Sequence, residues 1–159
     1  STITLQHSEI NLTRLLEQLV YEFQPALDQK GLTCRLAAGD DILLNCDADK
    51  MQRVFDNLLR NAVNYSCGGT EITVEAESGE DCVKLRFSNR GGTIPQKKLE
   101  RIFEQFYRLD TGRSSSGAGL GLAIAKQIVT LHKGTITAES RDGLTVFTVT
   151  LPAVSQIAV

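Results

Sequence analysis

One stretch, Met51 to Ser66, limits what this chain can fold into more than any other. Placed on a helix, its side chains separate into faces. Met51, Val54, Phe55, Leu58 and Ala62 recur at three- and four-residue steps and make an apolar stripe that demands a core partner. Asn57, Asn61, Asn64 and Tyr65 recur at the same steps on another face. Asparagine is a poor helix former, and a solvated helix face ordinarily carries Glu, Lys and Arg. A side-chain amide is also costly to bury without a partner. The amide row therefore reads as a face turned toward a polar ligand, with a solvated face as the plainer alternative.

The rest of the chain supplies a core for that helix. Asn11 is a good N-cap, and Leu12, Leu15, Leu16, Leu19, Val20 and Phe23 keep helical time after it. Pro25 is expected to kink this helix and Gly31 to end it. A weak alternation over Thr2–Glu9 suggests a short strand, and further strands are expected at 33–37 and 42–46. Asp47 or Asp49 can cap the Asn-rich helix, which Gly68-Gly69 stops. Ile72, Val74 and Ala76, then Val83, Leu85 and Phe87, alternate with polar residues about the turn Gly79-Glu80-Asp81, which predicts a hairpin with one covered face. A short helix from Gln96 to about Phe103 follows. The polar, small-residue stretch Arg108–Gly119 has nothing to bury and is expected to be a mobile loop. A helix from about Leu120 to His132, with Leu120, Ile124, Ile128 and Leu131 inward, precedes two strands joined by Arg141-Asp142-Gly143. Helices and hairpins mixed in this order predict an α+β fold, a two-layer α/β sandwich around one core, with residues 1–159 as a single domain.

Composition narrows the function classes. A net charge of −2 offers no footprint for nucleic acid. No apolar run approaches the ~20 residues of a membrane span. Cys34, Cys46, Cys67 and Cys82 have no C-x-x-C spacing, so zinc is not expected and reduced thiols in a cytoplasmic setting are. The chain begins at Ser1 and is expected to be a piece of a longer protein.

Two glycine stretches are candidates for ligand contact. Gly117, Gly119 and Gly121 lie in a run that opens a helix, where close backbone approach and free N–H groups suit a phosphate. No strand leads directly into the run and no Gly-Lys-Ser/Thr follows, so it is neither a dinucleotide fingerprint nor a Walker loop. The second stretch, Asn89-Arg90-Gly91-Gly92-Thr93-Ile94-Pro95, ends a strand. It is either a plain tight turn or a backbone turn against a flat ligand with Asn89 as its hydrogen-bond partner.

Four stretches in order, Asn57-Leu58-Leu59-Arg60-Asn61-Ala62, Asn89 to Pro95, Ile102 to Arg108 and Gly117 to Leu122, resemble the N, G1, F and G2 boxes of the ATP-binding catalytic domain of bacterial sensor histidine kinases. The resemblance runs from about Ile10 to Pro152. Phe106 to Asp110, Arg113 to Ser115 and Ala118 to Lys126 look most like sensors of the vancomycin-resistance type. The resemblance implies a Bergerat-type fold, a mixed sheet with helices on one face and Mg-ATP between them. It implies Asn61 as the Mg²⁺ ligand and catalytic residue, Tyr65 against adenine and Asn89 as acceptor from the base. It also places Asn57, Asn64, Gly91, Ile94, Phe103, Tyr107, Arg108, Arg113, Gly117, Gly119, Leu120 and Gly121 about the nucleotide. Three positions depart from the pattern. Asn89 stands for the usual Asp, Thr93 for a glycine and Asn64 for a frequent phosphate-contacting Lys, whose charge Arg108 or Arg113 would then supply.

The resemblance further implies transfer of the γ-phosphoryl group of Mg-ATP to a histidine in the parent's own dimerisation domain, with a response regulator downstream. That acceptor domain is expected to lie outside this chain. The chain itself is expected to be a monomer, and its parent a membrane-held homodimer. His7 and His132 lack an acceptor's flanking sequence and read as surface or capping residues. A hydrolytic ATPase of the gyrase or chaperone type is the alternative enzyme. Such relatives carry Glu where this chain has Asn57, which cannot act as a general base. A degenerate nucleotide-sensing module is the non-enzyme alternative, supported by the three departures and opposed by Asn61 and the glycine run.

Overall fold

A computed structural model describes residues 4–107 and 121–153. The expected loop over 108–119 lies outside the described residues. Five strands make a mixed sheet in the order β2 (Thr33–Ala38), β4 (Glu71–Ser78), β5 (Cys82–Arg90), β7 (Leu144–Pro152), β6 (Thr135–Arg141). β2 runs parallel to β4, and the other neighbours are antiparallel. A separate antiparallel pair joins β1 (His7–Asn11) to β3 (Leu43–Asp47). The helices are α1 (Leu12–Glu22), α2 (Gln24–Gln29), α3 (Ala48–Tyr65), α4 (Gln96–Leu99) and α5 (Gly121–Leu131). The architecture is α+β, as the patterning predicts.

The core lies between α1, α3 and α5 and one face of the sheet. Met51, Val54, Phe55, Leu58, Leu59, Ala62 and Val63 of α3 are buried, which adds Leu59 and Val63 to the predicted stripe. Ile72, Val74, Val83, Leu85, Phe87, Phe147, Val149 and Leu151 meet them from the sheet, while the intervening residues on β4, β5 and β7 stay partly or fully exposed. Burying each large apolar side chain contributes about 1.5–3 kcal/mol. Phe55 stacks on Phe87 with ring centroids 6.1 Å apart, locking α3 to the central strand.

The ends of α3 are held by side chains. Asp47 accepts from the Lys50 N–H (3.1 Å) and from the Gln6 N–H (2.9 Å). These two backbone donors, Gln6 first, hold its carboxyl below the usual carboxylate range. At the other end Lys30 Nζ donates to the carbonyls of Val63 (2.8 Å) and Asn64 (2.9 Å), a cation on a helix C-terminus.

Several local expectations shift. Asn11 caps α1 by accepting from the Arg14 N–H at 3.1 Å. Pro25 does not kink that helix but opens a new one, because α1 ends at Glu22 and Pro occupies the first turn of α2, where its missing N–H costs nothing. The first strand sits later than the alternation suggests, in register with β3. The helix expected from Gln96 to Phe103 is α4 plus a run of turns. In α5 the buried face is Ala125, Ile128 and Val129, with Ile124 and Leu131 half-buried, because the helix packs chiefly on α3.

Candidate functional site

Asn61 and Tyr65 are one turn apart on α3, and both are half-buried. They face a cavity of about 200 Å³ that Asn89, Gly92, Thr93, Ile94, Pro95, Lys98 and Thr145 complete. That volume lies below the ~300–1,000 Å³ of pockets for drug-sized ligands and suits one flat ring system. A larger ligand has to extend beyond it.

The rim of the cavity is a turn pinned from two sides. Gly91 N–H donates to Gly143 O (2.8 Å), Gly143 N–H to Thr93 Oγ1 (2.7 Å) and Ile94 N–H to Ser140 Oγ (2.8 Å). The Ser140 hydroxyl is in turn 2.8 Å from Thr145 Oγ1. Gly143 takes a positive φ of 79° in the β6–β7 turn, a conformation that favours glycine. Gly91 is required for a different reason: a Cβ there would collide with the Tyr65 carbonyl. The Thr93 departure thus has a structural role, since its hydroxyl ties the turn to the β6–β7 hairpin.

Asn89, one residue before the end of β5, lies opposite Thr145 of β7, and both are buried. One turn before Asn61, Asn57 lies outside the cavity lining and donates its Nδ2 to Gly121 O at 3.0 Å. This bond ties α3 to the first residue of α5 and brings that helix N-terminus alongside the amide face. Asn64 is exposed and also outside the lining. Phe103 does not reach the cavity. Its ring meets Phe147 edge-on at 6.0 Å, and Lys126 Nζ lies 5.4 Å from its centre. The Tyr107 ring lies under the Arg101 guanidinium at 4.4 Å. Arg108, Arg113, Gly117, Gly119 and Leu120 fall outside the described residues.

Sequence reading missed Lys98 and Thr145 as cavity residues. Thr145 becomes visible only through the register of β5 with β7, and Lys98 only because α4 follows the pinned turn. His132 also differs from expectation, for it is buried. Its Nε2 accepts from Asp47 N–H (3.0 Å) and its Nδ1 lies 2.8 Å from Ile128 O. Both contacts are hydrogen bonds when Nδ1 carries the proton, so the ring is a strut between α5 and the start of α3. His7 is exposed on β1, its ring 5.7 Å from that of His132.

Among the described residues no group of three His, Cys, Asp or Glu side chains is placed to hold a metal ion. Among the oxygen donors that line the cavity is the Asn61 amide. A single neutral oxygen suits Mg²⁺, which is commonly bound by one or two protein oxygens and otherwise keeps waters and phosphate oxygens. The Cys34 and Cys46 thiols are pushed up to about 11, by burial first and then by Glu71 and Asp47 respectively, so neither is a nucleophile near neutral pH. No helix among the described residues is long and apolar enough to cross a membrane.

Comparison with known proteins agrees with this geometry. Residues 46–155 match the family described as histidine kinase-, DNA gyrase B- and HSP90-like ATPase. Sensor protein VanSC of Enterococcus gallinarum is 44% identical over 154 residues, 96% of this chain and 42% of its own length. The chain thus spans about two fifths of that relative. The catalytic domain of histidine kinase ThkA superposes with a TM-score of 0.85 at 25% identity, covering 94% of this chain and 97% of that one. The complex of ThkA with response regulator protein TrrA gives 0.81 at 24%, covering 94% and 42%, a likeness of fold alone. Matched over more than half its length, the chain belongs to the histidine kinase-, DNA gyrase B- and HSP90-like ATPase family.

Proposed function

We propose that this chain is the ATP-binding catalytic domain of a sensor histidine kinase of the vancomycin-resistance type. It binds Mg-ATP and gives the γ-phosphoryl group to a histidine of a separate dimerisation domain, from which a response regulator takes it. The observation that carries this is the cavity itself: Tyr65 and Asn61 one turn apart, Asn89 at its buried wall, and the α5 N-terminus tied to the same helix through Asn57.

Each group has a distinct task in this reading. Tyr65, Ile94 and Pro95 offer flat apolar surface to a base, and Asn89 hydrogen-bonds its edge. The triphosphate leaves the cavity along α3 toward Gly121, where the helix N-terminus favours anions. Asn61 would hold Mg²⁺, which when bound neutralises charge on the phosphate oxygens. Phosphoryl transfer needs mainly such positioning and charge neutralisation. Asn57 is an amide already donated to Gly121 O, so no base at that position activates water. A neutral imidazole brings its own lone pair and needs less activation than water does. The reading therefore favours transfer to histidine over hydrolysis.

The test uses γ-labelled ATP with this chain alone and with a separately made dimerisation domain of its parent. Label is expected on the partner domain only. Strong self-labelling, or rapid hydrolysis by the chain alone, overturns the reading in favour of an ATPase.

A further inference from the structure

We propose that Asn89 makes the base end of this cavity accept either substituent at purine position 6, so that the site takes 6-oxo nucleotides (ITP and GTP) as well as ATP. The inference rests on the nucleotide reading above and sharpens its substrate class.

Asn89 is 3% exposed, lines the cavity, and forms no side-chain hydrogen bond with the described residues. A buried amide without a protein partner is uncommon and calls for a ligand to satisfy it. Its cross-strand neighbour Thr145 does not fix it, since that hydroxyl is engaged with Ser140 Oγ at 2.8 Å. Nothing among the described residues therefore selects between the two amide orientations, which differ by a half-turn about Cβ–Cγ.

Those orientations are complementary to the two purine edges. An amide presents one acceptor beside two donor hydrogens. In one orientation Oδ1 accepts from the 6-amino group of adenine while Nδ2 donates to N1. After the half-turn Nδ2 donates to the 6-oxo oxygen of hypoxanthine or guanine while Oδ1 accepts from N1–H. Each arrangement satisfies two hydrogen bonds and leaves no polar atom of the pair opposed. A carboxylate in the same place only accepts, so with either base it makes one bond, from the 6-amino group of adenine or from N1–H of a 6-oxo purine, and meets the neighbouring edge atom lone pair to lone pair. Lys98 at the same rim is donor-only and adds no penalty against the oxo group.

The experiment measures Mg-dependent binding of ATP, ITP and GTP to this chain by displacement of a fluorescent nucleotide. ITP isolates position 6, because it lacks the 2-amino group of GTP. A lost buried polar contact is costly, so the expected pattern is ITP within about ten-fold of ATP for the native chain, with both nucleotides about ten-fold or more weaker for Asn89→Asp, which keeps one of the two bonds to either base. Asn89→Leu, which removes both edges, should weaken ATP and ITP together. If ATP binds the native chain while ITP is weaker by about a hundred-fold or more, the inference fails and the nucleotide site stands. If no nucleotide binds the native chain, the underlying reading fails.

Discussion

At the scale of single residues, the positions that matter most are those where a change of one atom has no room to be absorbed. Gly91 is such a position, because an added Cβ meets the backbone carbonyl of Tyr65, which cannot rotate aside as a side chain would. Gly91→Ala should force the turn off α3 and open the cavity wall. The expected outcome is a loss of about 1–3 kcal/mol in unfolding free energy from overpacking, with at least about ten-fold weaker nucleotide binding. Urea unfolding and a nucleotide titration check it, and native-like affinity in this variant would show that the close approach is not needed. Asn61, Tyr65, Asn89 and Ile94 line the cavity, and the first three lie in stretches that helical spacing or a Gly-Gly turn marks in the sequence. Thr93 was legible only as a departure, since its bond to the Gly143 N–H joins turns 50 residues apart in sequence.

Elements depend on contacts that periodicity records only in part. The apolar stripe of α3 was readable from spacing alone, whereas its N-terminal anchorage was not. Asp47 was one of two possible caps. Its selection comes from the β1–β3 pairing, which brings the Gln6 N–H to the same carboxylate, and from His132, which takes the Asp47 N–H. The Asp47 carboxyl titrates below its usual range, and its unfolded value is the ordinary one. A group with a depressed folded pKa contributes stability above the unfolded pKa, and that contribution is lost as pH falls through the folded one. The acid limb of the stability curve should therefore steepen below the ordinary carboxylate range. Asp47→Asn keeps a capping acceptor without the charge and should flatten that limb. Asp47→Ala should cost about 1 kcal/mol near neutral pH through loss of the cap. Urea midpoints measured from neutral to acid pH separate the two variants, and parallel pH profiles for native chain and Asp47→Asn would contradict the assignment.

Across the whole molecule, the core and the candidate site share one helix and divide it by face. The fold class followed from alternation in β4 and β5 and from helical spacing in α1 and α3, because each pattern reports which side meets the core. The strand order β2-β4-β5-β7-β6 did not follow, since pairing of β5 with β7 joins residues far apart and leaves no local signature. The cavity depends on that pairing, which explains why Thr145 escaped notice. The division of α3 gives a direct test. Leu58 is fully buried against the core, and Asn61, three residues on, faces the cavity. Leu58→Ala should cost about 2–5 kcal/mol of stability by leaving a hole in the packing. Below its unfolding temperature it should still bind Mg-nucleotide with near-native affinity. Asn61→Ala should stay within about 0.5 kcal/mol of the native stability, as expected for a change that makes no core cavity. It should nevertheless lose the Mg²⁺-dependent part of its nucleotide affinity. Thermal unfolding and nucleotide titration with and without Mg²⁺, run on both variants, read the two quantities separately. Equal losses of stability in both, or unchanged Mg²⁺ dependence after Asn61→Ala, would show that the two faces are not divided in this way.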